Sequence, residues 1–142
     1  MKKLTALFFP LMFSITSYSQ INCSQICILN IGNLDTVNNT LDVTIYNGNT
    51  DHINYPSVML VDMNGDTVAN IDNIFYFFTH PAQDTLVHTI PTTLANIPNG
   101  FTCTVYLRDN LTDSVCSYSY PMNCTLAINE STICFSASFS SG

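Results

Sequence analysis

Apolar residues at every second position, broken by turn formers about every ten residues, commit this chain to β-structure. Phe101, Cys103, Val105 and Leu107 alternate with Thr102, Thr104, Tyr106 and Arg108. Leu41, Val43 and Ile45 alternate in the same way with Asp42, Thr44 and Tyr46. This is the period of a strand with one buried face. Residues 57–63 are almost continuously apolar (Val58, Met59, Leu60, Val61), which predicts a central strand. Asn64-Gly65 comes next and predicts a hairpin with a type I′ turn, because both residues tolerate positive φ. Residues 74–78 are aromatic and are expected to be buried on both faces. Residues 85–90 come after a Pro-Ala-Gln-Asp turn, and residues 114–120 form the last strand after a loop at 109–113. With residues 26–31 at the front and no amphipathic helix, the count is seven or eight antiparallel strands. The predicted fold class is all-β, a two-sheet sandwich.

Residues 1–19 read as a signal peptide. Lys2 and Lys3 precede an apolar stretch at 4–13, and Ser17-Tyr18-Ser19 puts small residues at −3 and −1 of a cut before Gln20. The apolar stretch is too short to span a bilayer, and Pro10 interrupts it. Beyond the leader, Arg108 is the one full cation against ten carboxylates, nine net negative charges. That balance disfavours nucleic acid and anionic membrane surfaces as partners. The chain is 46% hydrophobic with a positive mean hydropathy, so it has the material to fold despite its charge. Residues 20–124 are expected to form one domain and 125–142 an irregular tail.

The six cysteines, Cys23, Cys27, Cys103, Cys116, Cys124 and Cys134, lie in the exported part and predict up to three disulfides. A bridge between the first two and the last four would close a loop of about 75 residues or more. Zinc is the weaker reading, since Cys23-x3-Cys27 has no second close pair and no nearby His. No lipobox precedes Cys23. With a five-residue loop at 109–113, Cys103 and Cys116 point to opposite faces and should not pair. The N-terminal cysteines are therefore expected to bond to Cys116 or Cys124. An antibody-type core is not expected: the chain has no Trp, and the strand at 41–46 carries no Cys.

Residues 39–121 resemble an immunoglobulin-like module of secreted Bacteroidota proteins. The resemblance is carried by Asn39-Thr-Leu-Asp-Val-Thr-Ile-Tyr-Asn47, by Ile53-Asn-Tyr-Pro-Ser-Val58 and by Leu60-Val-Asp-Met-Asn-Gly-Asp-Thr67. Thr104-Val-Tyr-Leu-Arg-Asp-Asn110 and Tyr118-Ser-Tyr-Pro121 add to it. It implies an immunoglobulin-like sandwich without catalysis, often placed before a type IX secretion sorting domain. Leu126-Ala-Ile-Asn-Glu130 is similar to the lead-in to such a domain, but only twelve residues come after it here. Asp35-Thr36-Val37, Asp66-Thr67-Val68, Asp84-Thr85-Leu86 and Asp113-Ser114-Val115 look like the O-glycosylation acceptors of that group. The same triplets also arise wherever a turn leads into a strand.

No chemistry-bearing motif rises above this background. Gly-x-Ser-x-Gly and phosphate-cradling glycine loops are absent, and His52, His80 and His88 show no ligand spacing. Asp62-x-Asn64-Gly65-Asp66 resembles a calcium loop only in part, since its Gly falls at position 4 and position 12 is Asn73. Calcium held between loops by Asp35, Asp42, Asp109 or Asp113 has no spacing to support it. No catalytic residue, cofactor or metal is expected. Tyr55 and Tyr76 are the candidate ligand platform, with burial in the core as the competing reading. The expected function is a secreted, non-catalytic structural or interaction module for adhesion or spacing, with a cell-surface protein or glycan as partner. A carbohydrate-binding module is the alternative and a small hydrolase a third. The expected location is extracellular or at the cell surface, with the periplasm as alternative, and without membrane insertion after leader cleavage.

Overall fold

The computed structural model describes residues 20–72, 78–122 and 124. The expected leader at 1–19, positions 73–77 of the expected aromatic strand, residue 123 and the expected tail at 125–142 lie outside them. A single 3-10 turn (Cys23–Gln25) opens the described chain and is capped by Asn22, whose side chain accepts the Ser24 N–H. Among the described residues no helix is long and apolar enough to cross a membrane.

The strands are β1 (Ile26–Asp35), β2 (Thr40–Asn47), β3 (Ile53–Asn54), β4 (Ser57–Asp62), β5 (Thr67–Ile71), β6 (Thr79–His80), β7 (Asp84–Pro91), β8 (Cys103–Asp109) and β9 (Ser114–Tyr120). They form a three-stranded sheet β1-β2-β7 and a four-stranded sheet β5-β4-β8-β9, with β3 and β6 as a small separate pair. Every pairing is antiparallel. The seven long strands fall where the apolar pattern and the turn signals place them, arranged as an immunoglobulin-like sandwich. β3 and β6 are two residues each, too short to show any period.

The inner faces meet in one apolar cluster. Leu41, Val43 and Ile45 from β2 and Val58 and Leu60 from β4 are fully buried in it, with Val105 and Leu107 from β8 and Ile90 from β7. Burying one such side chain contributes roughly 1.5–3 kcal/mol, so the core is the main favourable term. β4 lies between β5 and β8, as its apolar run requires.

Both sides of the sandwich are closed. On one, Cys23 is bonded to Cys116 and Cys27 to Cys124, with Cα separations of 5.5 and 5.7 Å. There Tyr118 Oη also donates to the Cys23 carbonyl at 3.1 Å, and the Ile31 N–H donates to Tyr120 Oη at 3.3 Å. On the other side Ala69 bridges Thr92, and the Thr92 hydroxyl and Thr93 N–H both donate to the Val68 carbonyl. Unlike an antibody domain, no bridge joins β2 to β8. β2 points only Leu41, Val43, Ile45 and Asn47 inward, so Cys103 meets no thiol across the core.

Three local expectations are corrected. First, the β4–β5 turn is not type I′. Gly65 has φ +88 and Asn64 is not among the positive-φ residues. The Gly65 N–H bonds the Asp62 carbonyl at 3.1 Å and the Asp62 N–H bonds the Asp66 carbonyl at 2.9 Å, the pattern of a type I turn ending in a glycine bulge. Second, the β8–β9 loop has four residues, 110–113, because Asp109 belongs to β8 and pairs with Ser114. Cys103 and Cys116 therefore share the inner face. They stay apart because Cys103 lies opposite Tyr120 and Cys116 opposite Leu107. Third, Phe78 is 39% exposed rather than buried on both faces.

Candidate functional site

One end of the sandwich gathers the loops after β2 and β8 and the turn before β7. Buried polar side chains organise all three. Asn47, the inward residue after Leu41, Val43 and Ile45, has no exposed surface. Its amide donates to the carbonyls of Asp51 (3.0 Å) and Pro81 (2.9 Å), and its Oδ1 accepts from the Asn49 N–H (3.1 Å) and Nδ2 (2.9 Å). Asn49 in turn accepts the Asn22 N–H at 2.8 Å, tying the N-terminal segment to the same knot. Gly48 between them donates to the Gln25 carbonyl at 2.7 Å, and a Cβ there would stand 2.6 Å from that oxygen, so only glycine fits.

Asp109 plays the matching part on β8. It is fully buried. Oδ1 accepts the N–H groups of Leu111 (2.8 Å) and Thr112 (2.9 Å), shaping the β8–β9 loop. Oδ2 accepts the Asn54 N–H at 2.9 Å and its side-chain amide at 3.4 Å, reaching the strand that precedes β4. Asn110 then donates through its amide to the Tyr55 carbonyl and to Ser57 Oγ, and through its backbone to the Asn54 carbonyl. Tyr55 has φ +49, a left-handed conformation held by these bonds and by its own N–H donating to the Phe78 carbonyl.

The turn before β7 carries a buried imidazole pair. His80 and His88 are 0% and 5% exposed, with His80 Nδ1 3.1 Å from His88 Nε2. His80 Nε2 lies 3.1 Å from the Asp84 carbonyl. A carbonyl only accepts, so His80 carries its proton on Nε2, and the His88 Nε2–H donates to His80 Nδ1. Burial lowers the pKa of both from 6.5, His88 to about 4 with the neighbouring His80 adding to the effect. For His80, the hydrogen bond and charge of Asp84 act against the burial. The Phe78 ring stands edge-on to His88 at 5.8 Å.

The sequence-predicted residues fall in different places. Cys23, Cys27, Cys116 and Cys124 are bonded; Cys103 is a buried free thiol, pushed by burial up to about 11; Cys134 lies outside the described residues. Tyr55 is half-buried, and Tyr76 lies outside the described residues. Thr36, Thr67 and Thr85 are exposed, whereas Ser114 is half-buried and its Oγ accepts from Thr112 Oγ1 at 2.9 Å.

The candidate calcium carboxylates are occupied locally. Asp62 accepts the N–H groups of Asn64 and Asp66, which lowers its pKa. Asp35 caps Val37 and Asn38 and is lowered by the same means. Asp42 accepts from Asn33 and Thr89, and Asp113 pairs with Arg108 on the surface. Among the described residues no three of His, Cys, Asp or Glu converge on one point.

A shallow groove of about 270 Å³ lies away from this end, lined by Thr67, Val68, Ala69, Asn70, Pro91, Thr92 and Thr93. It holds no titratable side chain, and the Thr92 and Thr93 hydroxyls are spent on the Val68 carbonyl. Neither a family description, nor a curated protein, nor a solved structure matches the chain.

Proposed function

We propose that the chain is an exported, non-catalytic interaction module that meets its partner, a cell-surface protein or glycan, through the loop end built on Asn47 and Asp109. The supporting observation is where the polar groups are used. At that end they anchor backbone instead of converging on a cavity, so they hold Thr50, Asp51, His52 and Leu111 outward on braced loops. Pre-ordered loops lose less conformational entropy on binding, which favours an adhesion or spacer role. The groove beside β5 offers no acid, base or activated nucleophile to a substrate.

Binding of the disulfide-intact protein to surfaces of its source cell tests this reading. Replacing Thr50, Asp51, His52 and Leu111 together by alanine should abolish binding, and replacing Val37 and Met63 in the other turns should leave it intact. Equal binding by both variants would defeat the proposal. A glycan array separates the two partner classes: a signal lost in Tyr55→Ala and Tyr76→Ala assigns a carbohydrate partner, and a blank array assigns a protein.

A further inference from the structure

We propose that the His80–His88 pair is an acid-released latch that holds β6 and the adjoining residues 78–83 against the sandwich at neutral pH and frees them on acidification. The proposal is independent of whether the loop end binds a partner.

The strand pairing of this segment is short. β6 pairs with β3 over two residues, Ile53 with His80 and Asn54 with Thr79. Among the described residues its further ties include the Tyr55 N–H on the Phe78 carbonyl, the Asn47 amide on the Pro81 carbonyl and the Phe78 ring against His88. The imidazole pair is buried, and its hydrogen bond requires His80 Nδ1 to stay unprotonated. His80 Nδ1 is a lone pair that receives the His88 Nε2–H. A proton added at His80 Nδ1 sets two N–H groups head to head at 3.1 Å. With both rings protonated neither nitrogen accepts, and two cations face each other in a buried site.

The surroundings offer little compensation. On β7, Asp84 contributes its carbonyl to His80 Nε2 and its carboxylate charge to the same ring. β3 opposes His80 and Thr79 with the uncharged Ile53 and Asn54. β2 opposes His88 with Val43 and Asp84 with Asn47. Asp51, reached only through the Asn47 amide, and His52 are exposed to solvent. One carboxylate therefore stands against two potential cations. Release uncovers Ile53 and the start of β7, the outermost strand of its sheet.

Hydrogen exchange on the disulfide-intact protein reads the latch directly. Protection of the amides at 53–55 and 78–80, corrected for the intrinsic pH dependence of exchange, should fall as pH drops from 7 to 4. One buried imidazole that must charge on opening gives a slope approaching about tenfold per pH unit below 6.5. Amides of β2 and β8 should keep their protection. His88→Gln retains an N–H donor for His80 but does not titrate, and should reduce the slope to the share of His80. Unchanged protection at 78–80, simultaneous loss in all strands, or a full slope in His88→Gln would each overturn the latch. If that variant does not fold, NMR titration of the wild-type ring protons decides: the midpoints must coincide with the loss of protection at 78–80. Ordinary midpoints without that loss would overturn the proposal.

Discussion

Asp109 and Asn47 occupy equivalent positions on their strands, one step past the last apolar inward residue, and each uses a buried side chain to hold backbone outside its own strand. All four contacts to Asp109 come from N–H donors. Asp109→Ala strands those donors at the loop end and should cost roughly 3–5 kcal/mol, read as a lower urea midpoint. Asp109→Asn should be only partly tolerated, because an amide offers one acceptor oxygen where two are needed. A near wild-type midpoint for Asp109→Asn would show that one of the two oxygens is dispensable. Both positions are legible in principle: continuing Cys103, Val105, Leu107 by one step lands on Asp109, and continuing Leu41, Val43, Ile45 lands on Asn47. Yet the alternation reads as ending at the last apolar residue, since an Asp or Asn there also reads as the start of a loop. His80 and His88 show no such signal, because the turn between them brings the rings together.

At the level of strands and hairpins, the two-residue period places β2 and β8, the apolar run places β4 and turn signals mark the rest, while turn geometry is less visible. Asn64-Gly65 correctly marks a hairpin, yet the three-residue loop uses only the glycine in the left-handed region. Asp62 makes the difference: its carboxylate collects the Asn64 and Asp66 N–H groups and stabilises the longer turn. Gly65→Ala has open space around its Cβ, so its cost is the left-handed backbone alone, about 1–2 kcal/mol. Gly65→Asn should cost clearly less, and equal thermal midpoints for the two variants would mean that φ is not the determinant. The same one-residue uncertainty inverts the facing of Cys103 and Cys116: a buried Asp109 assigned to the loop shifts the register by one and turns every side chain over. β3 and β6 leave no trace in the sequence, being held by contacts from distant parts of the chain.

For the molecule as a whole, two bridges with sequence separations of 93 and 97 join the first described segment to β9 and to Cys124 just beyond it. They interleave along the chain, 23 with 116 and 27 with 124, so their effects do not add. With Cys23–Cys116 intact, losing Cys27–Cys124 reopens a ring of only about a dozen residues and should cost roughly 2–3 kcal/mol. Losing both frees the long loop and should cost about 5 kcal/mol or more. Urea midpoints of the Cys27→Ser/Cys124→Ser variant and of the fully reduced protein check this; equal losses would contradict the short-ring account.

Stability should also form a plateau in pH, bounded by different buried groups on each side. His88 is held near 4 in the folded state and titrates near 6.5 when unfolded, so the unfolded chain binds the extra proton between those values. Stability is then full above 6.5 and falls on acidification toward 4, by up to about 3 kcal/mol for a depression of this size. Asp35 and Asp62, both lowered, extend the loss in the same direction below 3.8. On the alkaline side Cys103 is raised from 9.0 to about 11 by burial, and Tyr118 is raised from 10.0. Here the unfolded chain loses its proton first, so stability is full below 9 and falls as pH rises, with Cys103 worth on the order of 3 kcal/mol. The two limbs should differ in shape. Cys103 belongs to the core cluster and not to a segment that opens locally, so its limb runs from 9 to about 11. The His pair sits under a segment that opens locally, so the acid loss should level off once that opening is complete. Urea midpoints from pH 3 to 11 test the asymmetry: Cys103→Ala should remove the limb between pH 9 and 10 and leave the acid side untouched, and His88→Gln should shrink the acid limb and leave the alkaline side untouched. A flat midpoint between pH 4 and 6.5 would show that the buried pair is not neutral in the folded protein.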